Sequence, residues 1–211
     1  MQGTMKRSST VQAVLQQLRR DIVMGNLEND TPVTELQFSS QYGCSRAALR
    51  GALTVLEQEG LIRVMSNGTK RICSLSAEDI NHLYELRTYV ECTAAEQVLK
   101  KKTMDISKLF HVLEQAKMNE DFLDSDALFH ETIVKMSGNK ALMQAWKTFV
   151  PVTRELFALN FSYSEQLKEL LEQRHGQIAK LLLERNELAV QMLKEHIEEA
   201  RKLSIGQNEN H

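Results

Sequence analysis

The chain has 211 residues, with 26 Lys+Arg against 28 Asp+Glu, 42% hydrophobic and 26% charged residues. That size and balance allow one large or two small globular domains and exclude a disordered or fibrous chain. No apolar run reaches the ~18 residues of a membrane span, the opening MQGTMKRSST lacks a secretory apolar stretch, and three unevenly spaced cysteines (Cys44, Cys73, Cys92) point to a reducing cytoplasm. The charge is uneven. Residues 1–75 hold nine Lys+Arg and six Asp+Glu, whereas residues 76–211 hold 17 and 22. A glycine-rich, basic segment therefore precedes a longer acidic one, with a boundary expected between residues 75 and 76.

In chain order, Val11, Val14, Leu15, Leu18, Ile22 and Val23 recur at helical spacing up to Gly25. Thr34 caps a short helix from Glu35 to Tyr42 that ends at Gly43, and Ser45 caps a third helix running to about Glu59. LIRVM and TKRIC then read as two strands joined by Ser66-Asn67-Gly68, a hairpin signal. The remainder reads as helices from Ser76 to about Leu99, then Met104–Met118, Asp121–Met136, Lys140–Phe161, Glu165–Glu184 and Glu187–Leu203. Pro151 is expected to kink or split one of them. The fold class is mainly α: an N-terminal winged helix-turn-helix followed by an all-helical bundle.

A helix that enters the DNA major groove must carry base-edge donors at its N-terminal end. Here that end is Ser45-Arg46-Ala47-Ala48-Leu49-Arg50, with both arginines on one face. Ala47, Ala48 and Gly51 leave room for close approach, and Ser45 with the helix amides suits phosphate. The alternative is a surface helix with two solvated arginines; the turn before it and the hairpin after it favour the DNA reading.

The stretches LRRDIVMGNLENDTPVTE and YGCSRAALRGALTVLEQEGLI, with the Asn67-Gly68 wing, resemble the winged helix of the GntR family of bacterial transcription regulators. The resemblance implies DNA contacts from Arg46 and Arg50 and a wing (Asn67, Gly68, Thr69) reaching the minor groove. The family usually has Arg-Glu-Ala-Leu where this chain has Arg50-Gly51-Ala52-Leu53, so Gly51 removes a carboxylate that could orient Arg50. A glycine there also costs ~1 kcal/mol of helix propensity.

Asp126 and His130 stand at i and i+4, while His175 and His196 lie on two later helices. Three imidazoles and a carboxylate make a candidate site for Zn²⁺, Ni²⁺ or another divalent first-row ion. Spacing does not show that the four converge; hydrogen-bonded core histidines and a solvated acidic face are the alternatives. The stretch from Asp126 to Ile133, followed by Ser137-Gly138-Asn139, resembles the FCD domain of the FadR-type branch. That resemblance implies a metal held by Asp126, His130, His175 and His196. Arg87 is either half of a surface ion pair with Glu91 or a fork for an effector carboxylate; Asn139 and Arg154 are further effector candidates.

The expected function is a cytoplasmic DNA-binding regulator, a repressor and not an enzyme. It would act as a homodimer on a pseudo-palindromic operator under the control of a small organic acid, with no membrane partner. A metal sensor is the first alternative. A metal hydrolase is the second, and none of the HExxH, GxSxG, Walker or Gly-rich cofactor motifs supports it.

Overall fold

The computed structural model describes residues 2–103, 105–118, 122–160 and 165–205. They form two compact units, Met1–Ser76 and Ala77–His211.

The first unit contains α1 (Gln2–Val23), β1 (Pro32–Val33), α2 (Glu35–Gln41), α3 (Arg46–Gln58), β2 (Ile62–Val64) and β3 (Lys70–Ile72). Thr34 Oγ1 accepts the Gln37 amide and Ser45 Oγ the Ala48 amide, so each side chain supplies an acceptor that an open helix start lacks. Apolar faces of α1 and α3 meet in a core that includes Leu18, Ile22, Leu49, Leu53, Leu56 and Ile72. A Cβ on Gly51 would stand 3.2 Å from Val11 Cγ1. Gly51 therefore lets α1 and α3 pack closely, and Ala48 is buried and offers no outer face for DNA. Arg19 clamps the end of α3 through a buried two-pronged ion pair with Glu59 (2.6 and 2.8 Å).

The three strands form an antiparallel sheet in the order β1-β3-β2, with Ile62 opposite Ile72 and Val64 opposite Lys70. The sequence signals only the hairpin. β1 joins through Pro32 and Val33, a two-residue strand too short to show periodicity. At the hairpin tip Gly68 takes φ 82°, and Asn67 Oδ1 accepts the Thr69 amide.

The second unit is a bundle of α4 (Ala77–Leu99), α5 (Ser107–Met118), α6 (Phe122–Ser137), α7 (Lys140–Asn160), α8 (Glu165–Leu183) and α9 (Leu188–Ile205). The expected starts at Met104 and Asp121 and the expected end at Phe161 lie outside the described residues. α4 packs against α6, α7 and α9. α7 runs through Pro151 without interruption, although proline removes one backbone donor. Buried Phe149, Val152, Leu156 and Phe157 anchor the helix on both sides of it. The cysteines are free, and among the described residues no helix is long and apolar enough to cross a membrane.

Candidate metal centre and nucleic-acid interface

On α3, Ser45, Arg46, Ala47 and Arg50 are exposed together. Arg50 is not oriented from its own helix. Its Nη1 donates to Glu35 Oε2 at 2.9 Å, so α2 supplies the carboxylate that Gly51 omits. The Ser45 oxygen caps α3, and its hydroxyl proton remains a donor for a phosphate. At the wing Asn67 and Gly68 are exposed and Thr69 is half-buried. Arg63 and Arg71 both pair with Asp30, and Lys70 pairs with Glu57. No local sequence pattern signals these carboxylate partners, which lie 13 to 41 residues away along the chain.

In the helical unit, α6 contributes Asp126 and His130, α8 contributes His175 and α9 contributes His196. One ligand atom from each lies within 4.8 Å of all the others. His196 Nε2 is 3.2 Å from His130 Nε2 and 3.0 Å from His175 Nε2. Asp126 Oδ1 is 3.7 Å and 3.4 Å from the same two partners. Nitrogens held about 2.0–2.1 Å from one ion, 90–109° apart, stand about 2.9–3.4 Å from each other, so the spacing fits a shared cation. Nitrogen-rich ligation with one carboxylate suits Zn²⁺, Ni²⁺ and related ions.

A second layer surrounds this cluster. Glu91 Oε2 sits 2.5 Å from His130 Nδ1, and Arg87 Nε donates to Glu91 Oε1 at 2.8 Å. In the neutral ring the Nδ1 proton faces Glu91, which turns the Nε2 lone pair toward the cluster. Glu91 is fully buried and Arg87 nearly so, which replaces the surface-pair alternative with a buried one. Helical spacing signals the Arg87–Glu91 pair but not its third member, because His130 is 39 residues away on another helix.

The charges in this region are mutually adjusted. Burial alone would raise the pKa values of Glu91 and Asp126. The neighbouring His130 and Arg87 instead pull Glu91 down to about 2, and His130 with His175 holds Asp126 well below the usual carboxylate range. Burial opposes charge on His130, yet Glu91 and Asp126 outweigh it and raise its pKa. Burial lowers the pKa of His175, despite an opposing hydrogen bond from Asp126, and lowers that of His196 still further with help from the other two rings. An ionised Asp126 beside neutral His175 and His196 is the protonation state that metal ligands require, whereas the proton favoured on His130 has to leave its Nε2 before that nitrogen can bind an ion.

Two spaces adjoin the cluster. A small one is lined by Arg87, Asp126, Thr153 and Arg154. Arg154 also reaches Asp124 Oδ1 at 2.5 Å. A larger cavity, about 400 Å³, lies between α5, α6 and α8 and includes Phe110, Phe122, Asp126, Phe129 and His175 in its wall. The Phe129 ring stacks on His175 at 4.1 Å. Asn139 is not brought to either space: its Oδ1 accepts the amides of Ala141 and Leu142 and so caps α7, and its Nδ2 donates to Gln97. Its position after Ser137-Gly138 is explained by that cap.

Comparison with known families places both units. Residues 82–199 match the FCD domain, and residues 10–70 match the bacterial regulatory proteins of the gntR family. The chain belongs to the GntR family, in its FCD-domain branch. This GntR-family chain is 26% identical to the gluconate operon transcriptional repressor of Bacillus licheniformis over 97% of its own length and 84% of that protein. It is 28% identical to the repressor of the same name in Bacillus subtilis, covering 90% and 78% of the two chains. Among solved structures, Lar, which controls expression of the Listeria monocytogenes agr system, superposes with a TM-score of 0.72 at 20% identity, covering 92% and 95% of the two chains. The chain is a GntR-family transcriptional regulator, with repressors among its relatives.

Proposed function

We propose that this regulator is a repressor whose operator affinity is set by a small carboxylate bound at a divalent metal. The convergence of Asp126, His130, His175 and His196 within 4.8 Å carries the metal part of this reading. A bound ion would supply a Lewis-acidic seat for the carboxylate. The protein's own residues do the rest. Glu91 holds the His130 ring, Arg87 holds Glu91, and Asp126 offers its oxygen beside the small space that Arg87 and Arg154 line. Arg46 and Arg50 read the operator, Ser45 donates to a phosphate, Ala47 admits a close backbone, and Asn67, Gly68 and Thr69 form the wing contact. Residues 1–75 act as the DNA-binding domain and residues 76–211 as the metal- and effector-binding, dimerising domain. A homodimer on a pseudo-palindrome is the expected stoichiometry, since one such domain reads only a half-site.

Burial of the histidines favours a second reading, in which the metal itself is the signal. One experiment separates the two. Metal content is measured on the purified protein, and operator affinity is then titrated with metal alone and with metal plus an organic acid. About one ion per chain, lowered in His175→Ala and His196→Ala, supports the site. Operator release by metal alone supports the sensor, and release only after the acid is added supports the carboxylate receptor. Full occupancy in both variants places the metal elsewhere.

A further inference from the structure

Asp30 is one of two non-glycine residues, among those described, with a left-handed backbone, at φ 65°. Glycine takes that conformation without steric cost, whereas aspartate does not. The Asp30 carboxylate reaches across the wing: Oδ1 accepts from Arg63 Nη2 and Oδ2 from Arg71 Nη1, both at 2.8 Å. Arg71 Nη1 also donates to the Asp30 carbonyl at 2.7 Å. All three side chains are open to water, Asp30 and Arg63 being about half exposed. Exposed ion pairs of this kind contribute little to stability. Stability therefore does not account for an aspartate in a glycine conformation.

The two arginines do. Arg63 on β2 stands directly opposite Arg71 on β3, so both project from one face of the sheet. The next pair, Ile62 and Ile72, is buried on the other face. Like charges directly opposite repel, and Asp30 is the anion between them. Arg63 is four residues from Asn67 and Arg71 three from Gly68, which puts the pair ~10–13 Å behind the wing tip at ~3.3 Å per residue. The minor groove is ~7.5 Å deep. A tip seated in it brings the pair to the groove's rim, where the phosphates run.

We propose that Arg63 and Arg71 form a phosphate seat on the wing, and that Asp30 is its resident counterion, which a DNA phosphate replaces when the tip enters the minor groove. This seat rests on the wing contact proposed above for Asn67, Gly68 and Thr69. Two guanidinium forks suit the oxygens of one phosphodiester, and no base is read. With Asp30 in place, backbone contact alone gains little, because the phosphate must displace a carboxylate already held. Asp30 thereby lowers affinity for DNA of any sequence and leaves discrimination to Arg46 and Arg50.

The test measures binding of the full-length protein to a mixed-sequence duplex by fluorescence anisotropy, from about 50 to 200 mM salt. Each phosphate contact accounts for about a 3-fold loss of affinity over that range. Arg63→Ala and Arg71→Ala should each flatten the salt dependence by about that factor. Asp30→Asn keeps the side-chain shape and tolerates the left-handed backbone. It should bind about 3-fold tighter at the low-salt end and steepen the dependence by the same factor, and Asp30→Gly should behave alike. All four variants should melt within about 4 °C of wild type, since the pairs are exposed. Glu28→Gln removes the same charge from an exposed position on the same loop and should leave the salt dependence unchanged. Asn67→Asp keeps the acceptor for the Thr69 amide and should weaken binding if the tip meets DNA. Wild-type salt dependence in both arginine variants overturns the proposal. So does unchanged or weaker binding in Asp30→Asn and Asp30→Gly, or a Glu28→Gln effect equal to theirs. If Asn67→Asp weakens binding while the arginine variants keep the wild-type salt dependence, the wing contact stands and the phosphate seat falls. If Asn67→Asp binds like wild type, the wing contact falls and the seat with it.

Discussion

Replacing Glu91 with glutamine separates two jobs that one carboxylate performs. Glu91 is fully buried between Arg87 Nε at 2.8 Å and His130 Nδ1 at 2.5 Å. Removing its charge leaves the Arg87 guanidinium inside the bundle without its partner. Breaking a buried pair in this way costs about 3–5 kcal/mol. Asp126 also attracts Arg87, which places the expected loss toward the lower end. At about 2–4 °C per kcal/mol for a chain of this size, Glu91→Gln should lower the melting temperature by about 6–12 °C. The second job is orientation of His130, and loss of such an outer partner weakens metal binding about 10–100-fold. Thermal melts of chelated protein report the first effect, and competition with a chelating indicator reports the second. Adding Arg87→Met to Glu91→Gln removes the stranded charge and should recover most of the stability but none of the metal affinity. Wild-type metal affinity in Glu91→Gln would refute the orienting role; wild-type melting would refute the buried-pair argument.

The pH dependence of the same carboxylate follows from its lowered pKa. The group titrates at about 2 when folded and near 4.5 when free, so its contribution is complete above 4.5 and disappears as the pH falls through 2. The melting gap between chelated wild type and Glu91→Gln should therefore not shrink from pH 7 to 5, because the His130 charge that Glu91 favours adds to the wild type as the pH falls, and it should close between 4.5 and 2; closure already at pH 6 would contradict the assignment. Arg46→Ala and Arg50→Ala should each weaken operator binding by about 1–3 kcal/mol with unchanged melting, as read by fluorescence anisotropy, because both side chains are exposed. Glu35→Gln should weaken sequence discrimination more than total affinity, since it frees the Arg50 fork without removing it; equal discrimination in wild type and variant would show that Glu35 is only a surface partner.

Much of the fold was legible because its local signals agree with one another. Thr34 and Ser45 cap α2 and α3, and Gly25, Gly43, Gly60 and Gly68 take positive φ where helices and the hairpin turn. What the sequence reading missed depends on contacts between distant residues. β1 is two residues long and is defined only by its pairing with β3. Gly51 looked like a gap left for DNA, yet it makes room for Val11 of α1. Asn139 followed a family-like Ser-Gly pair, and its side chain is occupied by the α7 cap. In the cluster, residue types and helical spacing identified Asp126 and His130 as neighbours. Their approach to His175 and His196 depends on the packing of α6, α8 and α9, and the role of Glu91 on its burial against α6. Helical periodicity contains neither.

The central claim is that a carboxylate reaches the operator-binding state through the metal. It is tested by operator affinity in three samples of the same protein: chelated, metal-loaded, and metal-loaded with the tightest-binding acid of a panel of acetate, succinate, gluconate and 3-phenylpropionate. Coupling between two ligands of one regulator is commonly about 5–150-fold. The account predicts that the acid weakens operator binding by a factor in that range when metal is present and has no effect on chelated protein. Equal weakening with and without metal would contradict it.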